Sequence, residues 1–237
     1  MMSQTSRSHD RFATTRWSMA ARFVEQNTPT ARDALAELGA RFRYPTYVYA
    51  RRRGRSPAEA AGLVRGLLSR IEDEPGVMAA RDYRRFLLKK LAVLIERPTT
   101  QVEPTNSDTD ADAALETRFQ NDRSSFRGPP EQAFQRSYAL VVLERSLERL
   151  REEAQSAGHL DMFHALKPFL ARDPPAAVFE RIALCLHLRH VTVALALKRL
   201  RQRLRELAAE ELADTVRSAE DLALEQEAMH IALERGR

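Results

Sequence analysis

Apolar residues recur at helical spacing along much of this chain, most clearly in its last third. There Val193, Leu197, Leu200, Leu204 and Leu207 follow one another at intervals of four and three residues, which places them on one face of a helix. The preceding letters, FERIALCLHL, predict a shorter helix that ends in a turn near 187–189. The pattern over 179–205 therefore predicts a helix-turn-helix, the element that inserts its second helix into the major groove of DNA. An ordinary helical hairpin is the alternative interpretation.

The first hundred residues carry further helical patterns. A helix that begins near Ala31 is interrupted by Pro45, after which YPTYVYARRRG predicts a second, short helix. Ser56, Pro57 and Glu59 then supply an N-cap, a first-turn proline and a capping-box glutamate for the next helix. In the helix after that, ARDYRRFLLKKLAVLIE, the apolar residues define an inner flank. This arrangement predicts that the basic residues lie outside, namely Arg84, Arg85, Lys89 and Lys90.

The order of these patterns predicts an all-α fold of two small helical domains joined by a flexible linker. Between 98 and 130 the composition shifts to Pro, Thr, Ser, Asp and Asn with few aliphatic residues, which is typical of a segment without a core of its own. We therefore expect a first domain over 12–97, a flexible acidic linker over 98–130 and a second domain over 131–207. A disordered tail over 1–11 and a C-terminal helical extension over 208–237 complete the prediction.

Charge is distributed unevenly over the 237 residues, although the net charge is only +5. Residues 1–97 contain 19 Lys and Arg against 10 Asp and Glu, whereas residues 98–131 contain 3 against 7. The first third is therefore expected to bind a polyanion or an acidic partner, with a solvated basic surface as the alternative. A single cysteine and the lack of any long apolar run favour a cytoplasmic protein that does not enter the membrane.

Motifs of catalysis are missing from the sequence. No glycine-rich phosphate loop, nucleophile elbow or zinc-protease helix occurs, so we expect neither an enzyme nor a cofactor. Cys185, His187 and His190 are close in sequence, but Cys185 is expected on the buried side of its helix, so no metal site is predicted. The expected chemistry is contact with DNA phosphates and base edges by the second helix of the motif. Its candidates are Arg189, His190, Thr192, Leu195, Lys198, Arg199 and Arg201.

Several segments, in their order along the chain, resemble the extracytoplasmic-function sigma factors of bacterial RNA polymerase. These are FATTRWS, YPTYVYARRRGRSPAEA, RRFLLKKL, GHLDMFHALKPFL, FERIALCLHL and KRLRQRLRELAAEELADTV, and the resemblance covers about 12–97 and 130–230. It implies a first domain that binds core RNA polymerase and melts the −10 promoter element, and a second that reads the −35 element. Contacts to the −10 element would then rest on Tyr83, Arg84, Arg85, Lys89 and Lys90.

The sequence departs from the family at the helix after Pro57, where an acidic cluster normally grips polymerase. Of the positions that the resemblance assigns to polymerase binding, Glu59 alone is acidic, while Ala61, Gly62 and Arg65 replace the usual residues. Affinity for polymerase should therefore be weak in the unmodified protein. A second departure is His187, which occupies a turn position where the family has glycine and which would need left-handed backbone.

In some related sigma factors without the acidic cluster, a Ser/Thr kinase supplies the missing charge. By that resemblance we expect phosphorylation at Ser56, with Thr46 as the second choice, whereas an ordinary N-cap role is the alternative for Ser56. The implied partners are core RNA polymerase and promoter DNA, and the resemblance leaves room for a Ser/Thr kinase and an anti-sigma factor. Two further functions stay open: a degenerate sigma-like DNA-binding regulator, and an adaptor whose basic domain binds an acidic protein.

Overall fold

The computed structural model describes residues 29–68, 83–96, 109–126 and 128–234. Within these ranges the chain forms helices and no β-strand, which confirms the all-α fold class. The tail predicted over 1–11 and the FATTRWS segment lie outside the described residues. None of the helices within the described ranges combines the length and apolar composition needed to cross a membrane. The helices are α1 (Pro29–Arg52), α2 (Pro57–Leu68), α3 (Tyr83–Glu96), α4 (Thr109–Asp122), α5 (Pro130–Ser156), α6 (Leu160–Leu166), α7 (Ala176–Cys185), α8 (His190–Ala213) and α9 (Ala219–Glu234), with 3₁₀ turns at Arg123–Ser125 and Lys167–Phe169.

Two compact units divide these helices differently from the predicted domains. One unit comprises residues 1–141 together with 212–237, and the other comprises 142–211. The predicted second domain began at 131, but the first turns of α5 belong with the N-terminal helices. The predicted extension over 208–237 likewise joins the first unit from Leu212 on. The sequence pattern did not indicate that parts of α5 and α8 belong to the first unit, because each of these helices continues through the boundary without a break.

Stacked aromatic rings explain why the start of α5 belongs to the first unit. The rings of Phe42 in α1 and Tyr138 in α5 are parallel, with centroids 4.6 Å apart, and Tyr83 of α3 meets Phe42 edge-on at 5.2 Å. Phe134 packs beside them, and all four side chains are buried. Such rings contribute large buried areas in addition to their pairwise geometry. They form the core of the unit and hold α1, α3 and α5 together.

The helix α1 runs through Pro45, where the sequence pattern predicted an interruption. That prediction was wrong because burial outweighs the local penalty: a proline inside a helix removes one backbone hydrogen bond and costs about 3 kcal/mol. The residues around it, Tyr44, Tyr47 and Val48, are at most 4% exposed. Burying such large side chains contributes about 1.5–3 kcal/mol each, which is enough to keep the helix continuous.

Part of the segment predicted as a flexible linker is the packed helix α4. Its Phe119 is buried, and Phe126, which follows the helix, is buried as well. The carboxylate of Glu116 accepts two hydrogen bonds from Arg51 at 3.0 Å and one from the Tyr47 hydroxyl. Composition averaged over the whole segment hid these anchors, because two aromatic rings and a few paired carboxylates suffice to hold one helix. Residues 97–108 lie outside the described ranges.

In the second unit, two apolar clusters fix the position of the predicted helix-turn-helix. Leu150 and Ala154 of α5 pack with Phe163 of α6 and Leu207 of α8. Nearer the turn, a second cluster joins the remaining helices through Leu166, Ala183, Val193 and Leu197. The stripe predicted from the four-three spacing is therefore the buried face of α8.

Candidate nucleic-acid interface

The turn between α7 and α8 closes with a left-handed residue at the predicted position. His187 has a φ of 53°, and among the described residues every other positive φ belongs to a glycine. The Leu188 amide donates to the Ala183 carbonyl at 2.9 Å, and the His187 amide donates to the Leu184 carbonyl at 3.1 Å. These are the two bonds of a Schellman motif, which usually has glycine at the left-handed position. His187 thus adopts the left-handed backbone that is less favourable for histidine than for the glycine of the family that the sequence resembles.

Helix α8 starts directly after this turn. The carbonyl of Arg189 accepts hydrogen bonds from the amides of Thr192 and Val193 at 2.9 and 3.2 Å, so Arg189 is the N-cap residue. The ring of His190, the first residue of the helix, packs against Phe179 of α7 with centroids 5.6 Å apart. The face that α8 presents to solvent is fixed by the Arg189 cap, by the contact between His190 and Phe179, and by the buried stripe of α8.

The structure exposes most of the residues predicted to contact DNA from α8. Two of the seven differ: Thr192 is half-buried, and Arg201 is engaged inside the unit, where it donates to the Asp173 carboxylate and to the Phe169 carbonyl, both at 2.7 Å. Arg201 therefore links α8 to the segment before α7 in this conformation. The exposed set is Arg189, His190, Leu195, Lys198 and Arg199.

Sequence reasoning missed Val191 on the same face, and it placed Arg205 on the flank of this face without counting it among the DNA contacts. Val191 precedes Leu195 by one turn and is 69% exposed, although an aliphatic residue at a helix start is commonly assigned to the core. The signal was available, because Val191 lies outside the four-three stripe that begins at Val193. Arg205 and Lys198 line a cleft of about 410 Å³ whose floor includes Phe179 and Ala194. The outer surface of α8 thus carries two aliphatic side chains, Val191 and Leu195, in its first two turns and the cations Lys198, Arg199 and Arg205 farther along.

Cys185 is exposed, so its predicted position on the buried side of α7 was wrong. The buried face of α7 passes through Ala183, with Phe179 and Ile182 packed beside it. The helix ends at Cys185, and its terminal residue falls outside that face. Among the described residues, no group of three or more His, Cys, Asp or Glu side chains is arranged to hold a metal ion.

Two of the residues predicted to contact the −10 element are buried in the first unit. Tyr83 has no exposed surface, and Arg84 is 4% exposed. The guanidinium of Arg84 donates through Nε and Nη2 to both carboxylate oxygens of Glu225 in α9, at 2.7 and 2.6 Å. Arg84 was expected outside because the sequence of α3 alone does not reveal that α9 covers this side. In this conformation neither residue is available to DNA.

The other three basic residues of α3 remain at the surface to different degrees. Arg85 and Lys89 are exposed and line a cleft of about 400 Å³ together with Leu88 and Ala92. Lys90 is half-buried, and its ammonium lies 5.7 Å from the centroid of the Phe86 ring. The basic surface of this helix is therefore smaller than the sequence predicted.

Helix α2 carries the predicted capping box, which the structure confirms. The Ser56 amide donates to the Glu59 carboxylate at 2.8 Å, and the Glu59 amide donates to Ser56 Oγ at 3.3 Å. The hydrogen bond from the Ser56 amide, followed by the Ser56 side chain, lowers the pKa of the Glu59 carboxyl. Ser56 itself is exposed, so its hydroxyl lies at an accessible helix N-terminus.

The other residues assigned to polymerase binding or phosphorylation are less exposed than Ser56. Ala61 and Gly62 are buried, and Arg65 is half-buried and paired with Asp112 of α4. Thr46 has no exposed surface, which makes it unsuitable for phosphorylation in the folded chain. These positions were expected at the surface, but the inner side of α2 and the middle of α1 form part of the core. Glu59 and Ser56 are the accessible members of the two sets.

Comparison of this chain with protein families, with curated proteins and with solved structures finds no match. The functional interpretation therefore rests on the residues and geometry described above.

Proposed function

We propose that this protein is a sigma factor that binds core RNA polymerase and directs it to a restricted set of promoters. The observation that carries the proposal is the α7–α8 hairpin, with its left-handed turn at His187 and its exposed outer face. Between 176 and 205 the chain contains seven Arg and Lys residues and one acidic residue, Glu180. A basic helix presented by a rigid hairpin suits the major groove, because lysine and arginine neutralise phosphates beside the base edges that it reads.

Polymerase binding would use the start of α2, which the resemblance to extracytoplasmic-function sigma factors assigns to that role. Its accessible acidic group is Glu59, whose pKa is lowered by the hydrogen bonds from Ser56. Phosphorylation of Ser56 would add about 1.5 to 2 negative charges beside it, at a helix N-terminus that favours anions. We therefore assign activation to a Ser/Thr kinase acting on Ser56.

A second function is favoured by one specific observation. Ala61 and Gly62 are buried, so α2 offers few side chains that could grip a polymerase. A DNA-binding regulator that keeps the helix-turn-helix without productive polymerase contact would have this appearance. The third function to be distinguished from these two is that of an adaptor, whose basic first unit would bind an acidic protein.

Run-off transcription with purified core polymerase distinguishes these three functions. The protein is added with and without a Ser/Thr kinase, and fragmented genomic DNA of the source organism is the template. Promoter-specific transcripts support the sigma factor, DNA binding without transcripts supports the regulator, and neither activity supports the adaptor.

The role of Ser56 is tested in the same assay with Ser56→Ala. Ser124 is exposed in the same unit, and Ser124→Ala is the matched control. Kinase-dependent transcription should disappear in the first variant and persist in the second. Undiminished kinase-dependent transcription by Ser56→Ala would remove Ser56 from the mechanism and leave the sigma-factor proposal to be judged by the transcripts themselves.

A further inference from the structure

The outer face of α8 begins with two large aliphatic side chains that the fold leaves uncovered. Val191 is 69% exposed and Leu195 is 48% exposed, four residues apart and therefore adjacent on the helix. Continuing at helical spacing, the same stripe reaches Lys198 and Gln202, which are both exposed. Isolated aliphatic residues on a surface are ordinary, but an adjacent pair at one end of a basic stripe indicates a partner with both apolar and anionic groups.

The position of Val191 and Leu195 within the hairpin indicates which part of a DNA partner they would face. In a docked helix-turn-helix, the first turns of the second helix meet the base edges, while later residues reach toward the backbone. Val191 and Leu195 occupy those first turns. Lys198, Arg199 and Arg205 follow farther along and are all exposed. The aliphatic side chains thus lie at the end of α8 that contacts bases in a docked helix-turn-helix. The cations lie farther along α8, where they would be near the phosphates of the DNA backbone.

Thymine is the standard base that presents an apolar group in the major groove, its C5 methyl. We propose that Val191 and Leu195 recognise thymine methyl groups, so that the DNA sequence selected by this protein has thymine at the positions that face them. This inference rests on the proposed function and specifies the sequence class read by its helix-turn-helix. Contact of each methyl with an aliphatic side chain removes both from water without requiring a hydrogen bond.

The test begins by selecting binding sites from random DNA duplexes, using the full chain alone and in complex with core RNA polymerase. Thymines that recur at fixed positions are then replaced by deoxyuridine, which differs only by lacking the C5 methyl. Each replacement should weaken binding about fourfold, the equivalent of one buried methyl group. Replacement of thymines outside the selected positions should have no effect.

The variant V191A/L195A should bind the thymine and uridine duplexes equally, because its alanines no longer reach the methyl group. Both positions are on the surface of a helix, so the substitutions should preserve the fold, which circular dichroism verifies. Leu184 is 73% exposed on α7, and Leu184→Ala is the matched control that should keep the preference for thymine.

Four results would overturn the inference. Unchanged affinity of the wild-type protein for uridine duplexes, or a thymine preference that survives in V191A/L195A, would refute methyl recognition while DNA binding leaves the proposed function standing. A V191A/L195A variant that keeps its DNA affinity and loses core polymerase would assign the pair to a protein contact. No DNA binding by the chain or by its polymerase complex would refute the proposed function and this inference together.

Discussion

The buried ion pair between Arg84 and Glu225 gives the sharpest stability prediction. Both side chains are nearly inaccessible, at 5% and 2% exposure, and they share two hydrogen bonds of 2.6 and 2.7 Å. Replacing Arg84 by methionine keeps most of the side-chain volume but leaves the Glu225 carboxylate buried without its guanidinium. Losing one partner of such a pair destabilises a protein by about 3 to 5 kcal/mol. We expect a loss of this size in the free energy of unfolding.

Urea unfolding of the full chain, followed by circular dichroism and by tyrosine fluorescence, measures this loss. The double variant R84M/E225L should recover most of it, because replacing both members of a buried pair by apolar groups is often neutral or stabilising. Lys89→Met is the matched control on the exposed side of α3, with an expected change within about 0.5 kcal/mol.

The same variants separate a structural role of Arg84 from the DNA-binding role that the sequence suggested. A loss below about 1 kcal/mol for R84M would contradict the reasoning, since that is the range of an exposed salt bridge. A double variant as unstable as the single one would contradict it as well. If R84M instead kept its stability and lost promoter binding, Arg84 would be a DNA contact as first predicted.

Three further outcomes are expected. His187→Gly should raise the free energy of unfolding by about 1 kcal/mol, because glycine relieves the left-handed strain, whereas equal or lower stability in urea titrations would refute it. Cys185 should react with one equivalent of a thiol reagent in the native protein because it is exposed, and reaction only after denaturation would place it inside. The hydrogen bond from Arg203 lowers the pKa of Glu153 below its ordinary 4.5, so the stability from this pair is present above that pH and is lost as the pH falls below it. Thermal unfolding as a function of pH should show a smaller acid loss in Glu153→Gln than in the wild type, and identical profiles would contradict this.

Sequence reasoning succeeded where the determinants are local. The capping box at Ser56 and Glu59 is specified within four consecutive residues, and the buried stripe of α8 follows from spacing alone. A tight turn near 187–189 was predictable because the helix patterns on both sides leave room for only a short connection, whereas the left-handed backbone at His187 was suggested by the family resemblance alone. These features require no knowledge of which other helices pack nearby.

The predictions failed where a distant segment decides the outcome. Arg84 is buried because α9 supplies Glu225, which lies 141 residues away in the sequence. The helix α4 is held by Arg51 and Tyr47, and the penalty at Pro45 is offset by burial among neighbours from other helices. Composition and periodicity describe one segment at a time, so they cannot report such partners.

Promoter-directed initiation by the helix-turn-helix can be measured by mapping transcript 5′ ends. Core RNA polymerase transcribes genomic DNA of the source organism in the presence of this protein, the kinase and nucleotides, and the transcripts are sequenced. We expect a small set of start sites that share one upstream element. That set should be lost with the variant K198A/R199A but not with Lys167→Ala, an exposed lysine of the same unit. Start sites unchanged from those of core polymerase alone would contradict this expectation.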